Sequence, residues 1–573
     1  MQHRWIIQDP APELVAQLAT DLNCNPIIAT LLANRGITNA IQAKAFIHPS
    51  LHDLRPPDKL RGIQKAVKRI YQAITADEKI LIFGDYDVDG VTATAILYEF
   101  LSNAGANVHC YIPHRITEGY SLQLHHIDDF AVSKGIDLIV TADCGSSSHE
   151  AIRAAHAKGI DVIVTDHHEI PELPSDALAT INPKRSDCPS GLDALAGVGV
   201  AFYLLVALRK YLREKAFWTD RQEPNLKSFC DLVALGTVAD MVPLKGVNRI
   251  ITHHGLGVMK KNRRPGLDAL ITASGLSGRS LDTDTLAFYI APRINAAGRM
   301  KHADLAFNLL TQSKVATAEP IAREMQALNV ARQNTERAIL EEIETQIDNQ
   351  PMLLDSQVLV LAQAGWHPGV LGIVASRLTR QYHRPVVLIT IDGDVGYGSG
   401  RSIPGLNLYA ALKSCQSHLH RFGGHAMAAG LRLQADQIPA FRDALDASIQ
   451  IQSVSLDLTP VLTIDSELKF DAINGTLLDA IESLHPYGTG NPKPVFMTRK
   501  VTVCSSQIVG GVHRRMVLRQ ASMPNNARFD AIQFNVDPDA TPPDQFDRIA
   551  YELQRNRWNG NVKPQLVITA VQK

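Results

Sequence analysis

Three short apolar runs that break off into acids and imidazoles constrain this chain more than any other feature. They read ILIFGDYDVDG (80–90), LIVTADCG (138–145) and VIVTDHH (162–168). Consecutive apolar residues without alternation mark a strand covered on both faces, the habit of parallel sheets. NVHCYIP (107–113) and ALATINPK (177–184) are further strand candidates, and helical stretches such as GVTATAILYEFLSNAG (90–105) separate most of them. Strands alternating with helices predict an α/β domain built on a largely parallel sheet. In such a sheet, sites form beyond the carboxyl ends of the strands. Asp85, Asp87 and Asp89, then Asp143, then Asp166, His167 and His168 are therefore expected at one edge.

Carboxylates brought together repel one another unless cations neutralise them. Oxygen ligands mixed with imidazole suit Mn²⁺ or Mg²⁺ better than zinc. So many acids favour two ions about 3.5–4 Å apart, the arrangement that hydrolyses phosphate esters. A lone Asp after a strand is usually a helix cap or turn residue, and a lone His is usually a satisfied one. Three strand ends carrying such groups independently weigh towards a metal site.

The chain has 573 residues, enough for two to four domains, and 45% of them are hydrophobic, enough for real cores. Its 57 Lys and Arg nearly balance its 58 Asp and Glu, so overall charge says nothing about a partner. Seven scattered cysteines with no CxxC pair argue against a zinc knuckle and suit a reducing cytoplasm. MQHRWIIQDP lacks the apolar centre of a signal peptide, and no stretch looks like a membrane span.

Residues 1–60 read as an N-terminal extension ending in a Pro-rich connector, and 61–315 as the catalytic α/β domain. In 319–347, apolar residues at Ile321, Met325, Leu328, Ala331, Ala338, Ile339 and Ile343 predict one long joining helix, bounded at 316–350. A second α/β domain, for binding substrate, is expected over 351–453, with DVGYGSGRS and GGHAMAAGLRL as Gly-rich turns. Residues 454–573 read as a small, OB-like all-β barrel with strands at VLTIDSEL, KVTVCSSQIV, RRMVLRQ, DAIQFNV and QLVITAVQK.

DYDVDG, TADCG, VTDHH and GTVADMVPL resemble the four successive motifs of the DHH phosphoesterases, and FGGHAMAAG (422–430) resembles the signature of their second domain. RINAAGRM (293–300) and GWHPGVLGIVASRL (365–378) are similar to the single-strand-specific DNA exonucleases of that family. The resemblance implies Asp87, Asp89, Asp143, His167 and Asp240 as metal ligands, with Asp143 bridging two ions and Asp85 at an acidic position of less defined role. It implies His168 facing the scissile phosphate, with Asp143 and Asp166 as its catalytic companions. It also implies 5′-to-3′ degradation of single-stranded DNA to mononucleotides, in recombination and repair, by a cytoplasmic monomer. A single-strand-binding protein and a RecQ-type helicase are the partners it implies.

An anionic substrate needs donors. GSGRS (398–402) offers Ser399, Arg401 and glycine amides, and GGH (423–425) offers Gly424 and His425. Arg115 and Arg299 are further anion candidates, or structural ion-pair partners. In the C-terminal segment Arg514, Arg515, Arg519, Arg555, Arg557 and Trp558 combine charge with an aromatic face, as single-strand binding requires. KKNRRP (260–265) reads as a solvated helix end. The rival readings are a DHH phosphoesterase for nanoRNA, cyclic dinucleotides or pyrophosphate, and a non-catalytic replication scaffold.

Overall fold

The apolar runs become the sheet they predict. In the computed structural model, which describes residues 3–170, 175–261, 263–454, 456–520, 527–558 and 561–572, five strands form the first sheet. They are β1 (Lys79–Gly84), β2 (Asn107–Tyr111), β3 (Leu138–Ala142), β4 (Asp161–Thr165) and β5 (Ala179–Ile181). All pairings are parallel and the order is β2-β1-β3-β4-β5. Every residue of β3, and all of β1 but its first, is buried. The order reverses between β1 and β3, which opens a crevice at their carboxyl ends.

Register then aligns the acids. Gly84 pairs with Ala142, and the next amides continue the ladder: Asp85 N–H to the Ala142 carbonyl at 3.1 Å, Asp143 N–H to Thr165 at 3.0 Å, and Asp166 N–H to Ile181 at 3.1 Å. Asp85, Asp143 and Asp166 thus stand level, one residue past three adjacent strands. Helix α1 (Val88–Asn103) follows β1, and α2 (Gly197–Glu214) and α3 (Cys230–Ala239) pack on α1. Most of the apolar stretch 194–208 lies in α2, whose first half is buried.

Helix α4 (Ala291–Met300) packs against the long helix α5 (Val315–Asn349). Helix α5 starts before Pro320, which falls inside it and removes one helical hydrogen bond. Its buried stripe differs from the expected one: Asn329 and Arg332 are buried, while Ala331 and Ala338 are exposed. Beyond α5 lie β6 (Leu359–Ala364), α6 (Pro368–Tyr382), β7 (Val386–Asp392), β8 (Val395–Arg401), β9 (Arg421–Gly424) and β10 (Ala428–Gln434), with sheet order β9-β10-β8-β7-β6. DVGYGSGRS is therefore a strand and not a Gly-rich turn; only Gly393, at the β7–β8 hairpin, takes a turn conformation, with φ 56°. Gly396, Gly398 and Gly400 alternate along β8 so that their bare face meets Ile389, Leu431, Leu433 and Leu408. Ser399 and Arg401 point the other way.

The chain divides into two compact units. Everything above belongs to Pro56–Asp240 plus His254–Leu458. The other unit gathers Met1–Arg55, Met241–His253 and Thr459–Lys573. In it the strand Arg4–Ile7 pairs in parallel with β11 (Val461–Ile464), so the first half of VLTIDSEL lies outside the barrel, while Ser466–Glu467 pairs in parallel with Phe496–Met497 of the barrel sheet. The barrel comprises β12 (Val495–Val509), β13 (His513–Gln520), β14 (Arg528–Gln533), β15 (Gln545–Trp558) and β16 (Asn561–Gln572). It closes in the order β12-β13-β14-β16-β15 and back to β12. Leu18, Ile28, Leu31 and Leu32 of the N-terminal helices share its core with Phe470, Phe496, Met516 and Tyr551. Arg249 is buried between three segments of this unit and donates to the carbonyls of Phe46, Leu484, His485 and Pro486.

Candidate metal centre and nucleic-acid contacts

Each ligand candidate is placed by a local device. Asp87 caps α1 by accepting from Gly90 N–H at 3.1 Å. Asp89, in the first turn of α1, accepts at the N-terminus of α2 from Gly197 N–H (2.6 Å) and Val198 N–H (2.8 Å). Asp143 has φ 65°, a left-handed conformation that costs about 1 kcal/mol or more in a non-glycine residue and recurs at functional sites. It fits because Gly197 has no side chain: a Cβ there would lie 2.3 Å from Asp143 Oδ1. Asp240 follows the last residue of α3.

These groups converge on His167. Its Nε2 lies 3.2 Å from Asp143 Oδ1, 3.6 Å from Asp240 Oδ2 and 3.7 Å from Asp89 Oδ2. Three overlapping sets have ligand atoms mutually within 4.8 Å: Asp85–Asp87–Asp143, Asp89–His167–Asp240 and Asp143–His167–His168. Asp143 belongs to two of them. Burial, with repulsion from Asp89, Asp87 and its other acidic neighbours, pushes the Asp143 carboxyl far above the usual carboxylate range. The same causes raise Asp85 well above it, Asp89 to about 7 and Asp240 to about 9.

Divalent ions fit this donor set. Asp143 Oδ1, Asp85 Oδ1 and His167 Nε2 are buried without a hydrogen-bond partner. Leaving such atoms bare costs about 1–3 kcal/mol each, a penalty that ligation removes. Burial and the neighbouring His168 hold His167 down to about 3, so it is a neutral imidazole with a lone pair to give.

Asp166 stands apart from the ligand sets. Its carboxylate accepts from the amides of Ser146 (2.9 Å), His167 (2.8 Å) and His168 (3.1 Å), and from His168 Nδ1 at 2.8 Å. Burial opposes ionisation, yet these bonds hold it well below the usual range. The opposite balance raises His168 to about 9: burial works against its charge, and the Asp166 bond outweighs it. Asp166 therefore positions a protonated His168 whose Nδ1–H is committed to Asp166. Tyr120, which the sequence reading passed over, places its hydroxyl 3.3 Å from the Asp143 carbonyl and 3.1 Å from His168 Nδ1.

The cation candidates separate clearly. Arg115 lies over the Tyr86 ring, 4.6 Å from its centroid. Arg299 donates to the Gly369 carbonyl at 3.0 Å; burial, then Arg115, Arg401 and Arg332, lower it to about 9. Burial, then Arg115, lowers Arg401 as well. Arg115 thus works against the charge of both Arg299 and Arg401, and an anion among them would relieve that repulsion. Arg401 spends Nη1 on Ser399 Oγ (3.2 Å) and the Gly400 carbonyl (2.7 Å), which leaves Nη2 without a protein acceptor among the described residues. The amides of Gly398 and Gly400, expected to cradle phosphate, are inside a strand paired on both sides and cannot do so.

Gly424 and His425 are exposed at edge strand β9 and its turn. Arg515 projects from the barrel and pairs with Asp530 at 3.4 Å. Arg514 turns inward, buried, to the carbonyls of Ala540 and Asp537, so it is not offered to a ligand. Arg555 is taken by Asp479 and Glu482. Trp558 ends β15, and its side chain and that of Arg557 lie outside the described residues. Of KKNRRP, Arg264 is half-buried and paired with Asp231 and Glu99. Arg332 was not anticipated; its signal was a polar pair, Asn329 and Arg332, in phase with the buried face of α5.

Family models match three segments in turn: the DHH family N-terminal domain at 79–237, the DHHA1 domain at 355–450 and the RecJ OB domain at 464–570. The chain is 36% identical to the single-stranded-DNA-specific exonuclease RecJ of Bacillus subtilis, over 99% of this chain and 70% of that protein. It is 35% identical to the RecJ of Escherichia coli, over 95% of each. This chain belongs to the RecJ family. Among solved structures, RecJ of Thermus thermophilus in complex with Mn²⁺ matches all of this chain and 79% of its own, at 30% identity and a TM-score of 0.84. A second RecJ structure, bound to manganese, matches 70% of this chain and 98% of its own at 35% identity, with a TM-score of 0.60. The RecJ OB match covers the closed barrel. Among the described residues, no helix is long and apolar enough to cross a membrane.

Proposed function

We propose that this chain is a metal-dependent exonuclease that hydrolyses single-stranded DNA from the 5′ end, releasing mononucleotides in recombination and repair. The observation that carries the reading is the pair Asp143 Oδ1 and His167 Nε2, buried, unpartnered and 3.2 Å apart at the switch point of a parallel sheet. Asp87, Asp89, Asp143, His167 and Asp240 would hold two Mn²⁺ or Mg²⁺ ions, with Asp85 at the edge of the set. Such ions supply a hydroxide nucleophile at neutral pH and stabilise charge on phosphate oxygens.

The chain's own groups do the rest. His168, kept protonated by Asp166, presents a positive charge beside Asp143 to the phosphate being cut. Ser399, Arg401, Arg299 and Arg115 supply donors for the terminal phosphate. The barrel offers Arg515 at its surface for contacts to the backbone of a single strand. The family assignment also supports a cytoplasmic monomer served by a single-strand-binding protein and a RecQ-type helicase.

Nucleotide release from a 5′-phosphorylated single strand, its duplex, pyrophosphate and a dinucleotide, with Mn²⁺ and with EDTA, tests the reading. Metal-dependent release from the single strand far above the other substrates is expected. Equal or better turnover of pyrophosphate or dinucleotide would instead make it a small-substrate phosphoesterase.

A further inference from the structure

Asp240 is the least secured of the carboxylate ligands. Asp85 and Asp143 continue strand ladders, Asp87 caps α1, and Asp89 accepts two amides of α2. The Asp240 carboxylate faces His167 Nε2 at 3.6 Å and accepts no hydrogen bond from the described residues. Its own N–H still donates to the Gly236 carbonyl at 2.9 Å, and then Met241 leaves the helix with φ 61°. A side chain placed in this way is aimed by the backbone on either side of it. On one side stands α3. On the other stands MVPL (241–244), the part of the fourth motif that carries no ligand.

That segment has little slack. Pro243 fixes its own φ and biases Val242 towards an extended conformation. Asn248 Nδ2 donates to the Pro243 carbonyl at 3.0 Å. Leu244 is 2% exposed, and its N–H donates to the Thr489 carbonyl at 2.7 Å. Four residues of chain reach at most about 14 Å, so a fixed Leu244 confines Asp240.

The acceptor belongs to a turn that is itself locked. HPYGTGNPKP (485–494) closes on itself where Gly488 N–H donates to the Asn491 carbonyl (2.9 Å) and Asn491 N–H returns to Gly488 (3.0 Å). Asn491 is buried. Its Nδ2 donates to the carbonyls of Leu484 (3.0 Å) and Pro486 (2.8 Å), and its Oδ1 accepts from Arg35 Nε (2.7 Å). Two glycines of the turn make room for the segment. A Cβ on Gly488 would lie 2.7 Å from Leu244 Cδ1, and one on Gly490 would lie 3.1 Å from Pro243 Cβ. Met241–His253 and this turn fall in the same compact unit, whereas Asp240 closes the other.

We propose that the Gly488–Asn491 turn is a positioning element of the metal centre: it fixes Pro243 and Leu244, and so aims Asp240 at the ion that Asp89 and His167 would share with it. This rests on the reading of Asp240 as a metal ligand. Gly488 and Gly490 are positioning residues that touch neither ion nor substrate. Groups that orient a ligand are worth about 10- to 100-fold in metal affinity.

The test titrates the full chain with Mn²⁺ and reads the free ion by electron paramagnetic resonance, alongside a thermal melt. Asp240→Asn should weaken one of two bound ions. Gly488→Ala should weaken the same ion by about tenfold and leave the other unchanged. Adding Leu244→Val to Gly488→Ala shortens the side chain that the new Cβ meets, and should bring the affinity back to within about threefold of the wild type. Phe546→Leu, in the barrel core, weakens the same unit and should change neither ion. Gly490→Ala, strained at φ 73° and pressed on Pro243, serves if Gly488→Ala folds poorly. Loss at one ion with recovery in the double variant supports the positioning role. Unchanged Mn²⁺ affinity in both glycine variants, or an equal loss in Phe546→Leu, overturns it. A chain in which Asp240→Asn binds two ions as tightly as the wild type, or a wild type that binds none, refutes the metal-ligand reading itself.

Discussion

Gly372→Ala is the smallest change that should separate phosphate grip from folding. Gly372 lies in α6, and a Cβ there would sit 2.5 Å from Arg401 Nη2 and 3.0 Å from Ser399 Oγ. Non-bonded carbon and nitrogen prefer about 3.5 Å, so the guanidinium must retreat by about 1 Å. The atom displaced is Nη2, the nitrogen that no carbonyl or carboxylate of the described chain occupies. If Nη2 and Nε grip a terminal phosphate, the loss is that of a charge-assisted contact, about 1.5–3 kcal/mol, or roughly 10- to 150-fold in kcat/KM. The fold should not suffer. The group that must move is the end of a flexible side chain, and Ala improves a helix interior by about 1 kcal/mol over Gly. The assay compares 5′-phosphate with 5′-hydroxyl oligonucleotides, alongside a thermal melt. A lower preference for the phosphate is expected, with the melting temperature equal or higher. The change should add nothing in an Arg401→Ala background, because the two act through one group. An unchanged preference in a well-folded Gly372→Ala, or a penalty that persists without Arg401, would refute this placement of the phosphate.

Asp143→Ala should remove several kcal/mol of transition-state stabilisation, and activity within about tenfold of the parent in excess Mn²⁺ would sink the two-ion assignment. In EDTA the protein should lose stability as pH rises from about 6.5 to 9, read as a falling melting temperature. Asp89 (about 7) and Asp240 (about 9) are raised above their unfolded values, as is His168 (about 9), so the folded state holds protons that it must release in that window. His167, lowered to about 3, acts in the opposite direction but only below about 6.5, and Mn²⁺ should flatten the slope. Arg249→Met should destabilise the unit that contains the barrel by at least about 3 kcal/mol, because four buried carbonyls lose one charged donor; a shift in denaturation midpoint below about 1 kcal/mol would contradict this.

The candidate metal centre was legible because its signals are local and repeated. A buried strand announces itself by composition, and the side chain after its last residue must appear at the sheet's edge. Asp85, Asp143 and Asp166 needed only that rule. What the rule cannot give is the division of labour. Asp166 and Asp143 look alike in sequence, yet three backbone amides and a histidine occupy the one, while the other is left bare by the absence of a side chain on Gly197. Those partners lie in loops and helices whose positions no periodicity reveals.

The same limit explains the β8 segment. Alternating glycines in GYGSGR look like a flexible phosphate loop, because glycine frees the backbone. Here their use is the missing side chains: Ile389, Leu431 and Leu433 pack against the bare face, and the amides are consumed by two neighbouring strands. Ser399 and Arg401, on the opposite face, are the groups that remain near each other for an anion. The N-terminal helices show the non-local case. Their apolar residues complete the core beneath the barrel, hundreds of residues later in the chain. A cut after residue 458 would therefore strip Leu18, Ile28, Leu31 and Leu32 of Phe470, Phe496 and Tyr551. Such a truncation would expose an apolar face as well as remove a binding surface. Point changes on the barrel's outer face, such as Arg515→Ala, are the cleaner probe of its contribution, because Arg515 carries charge at the surface without supporting the shared core.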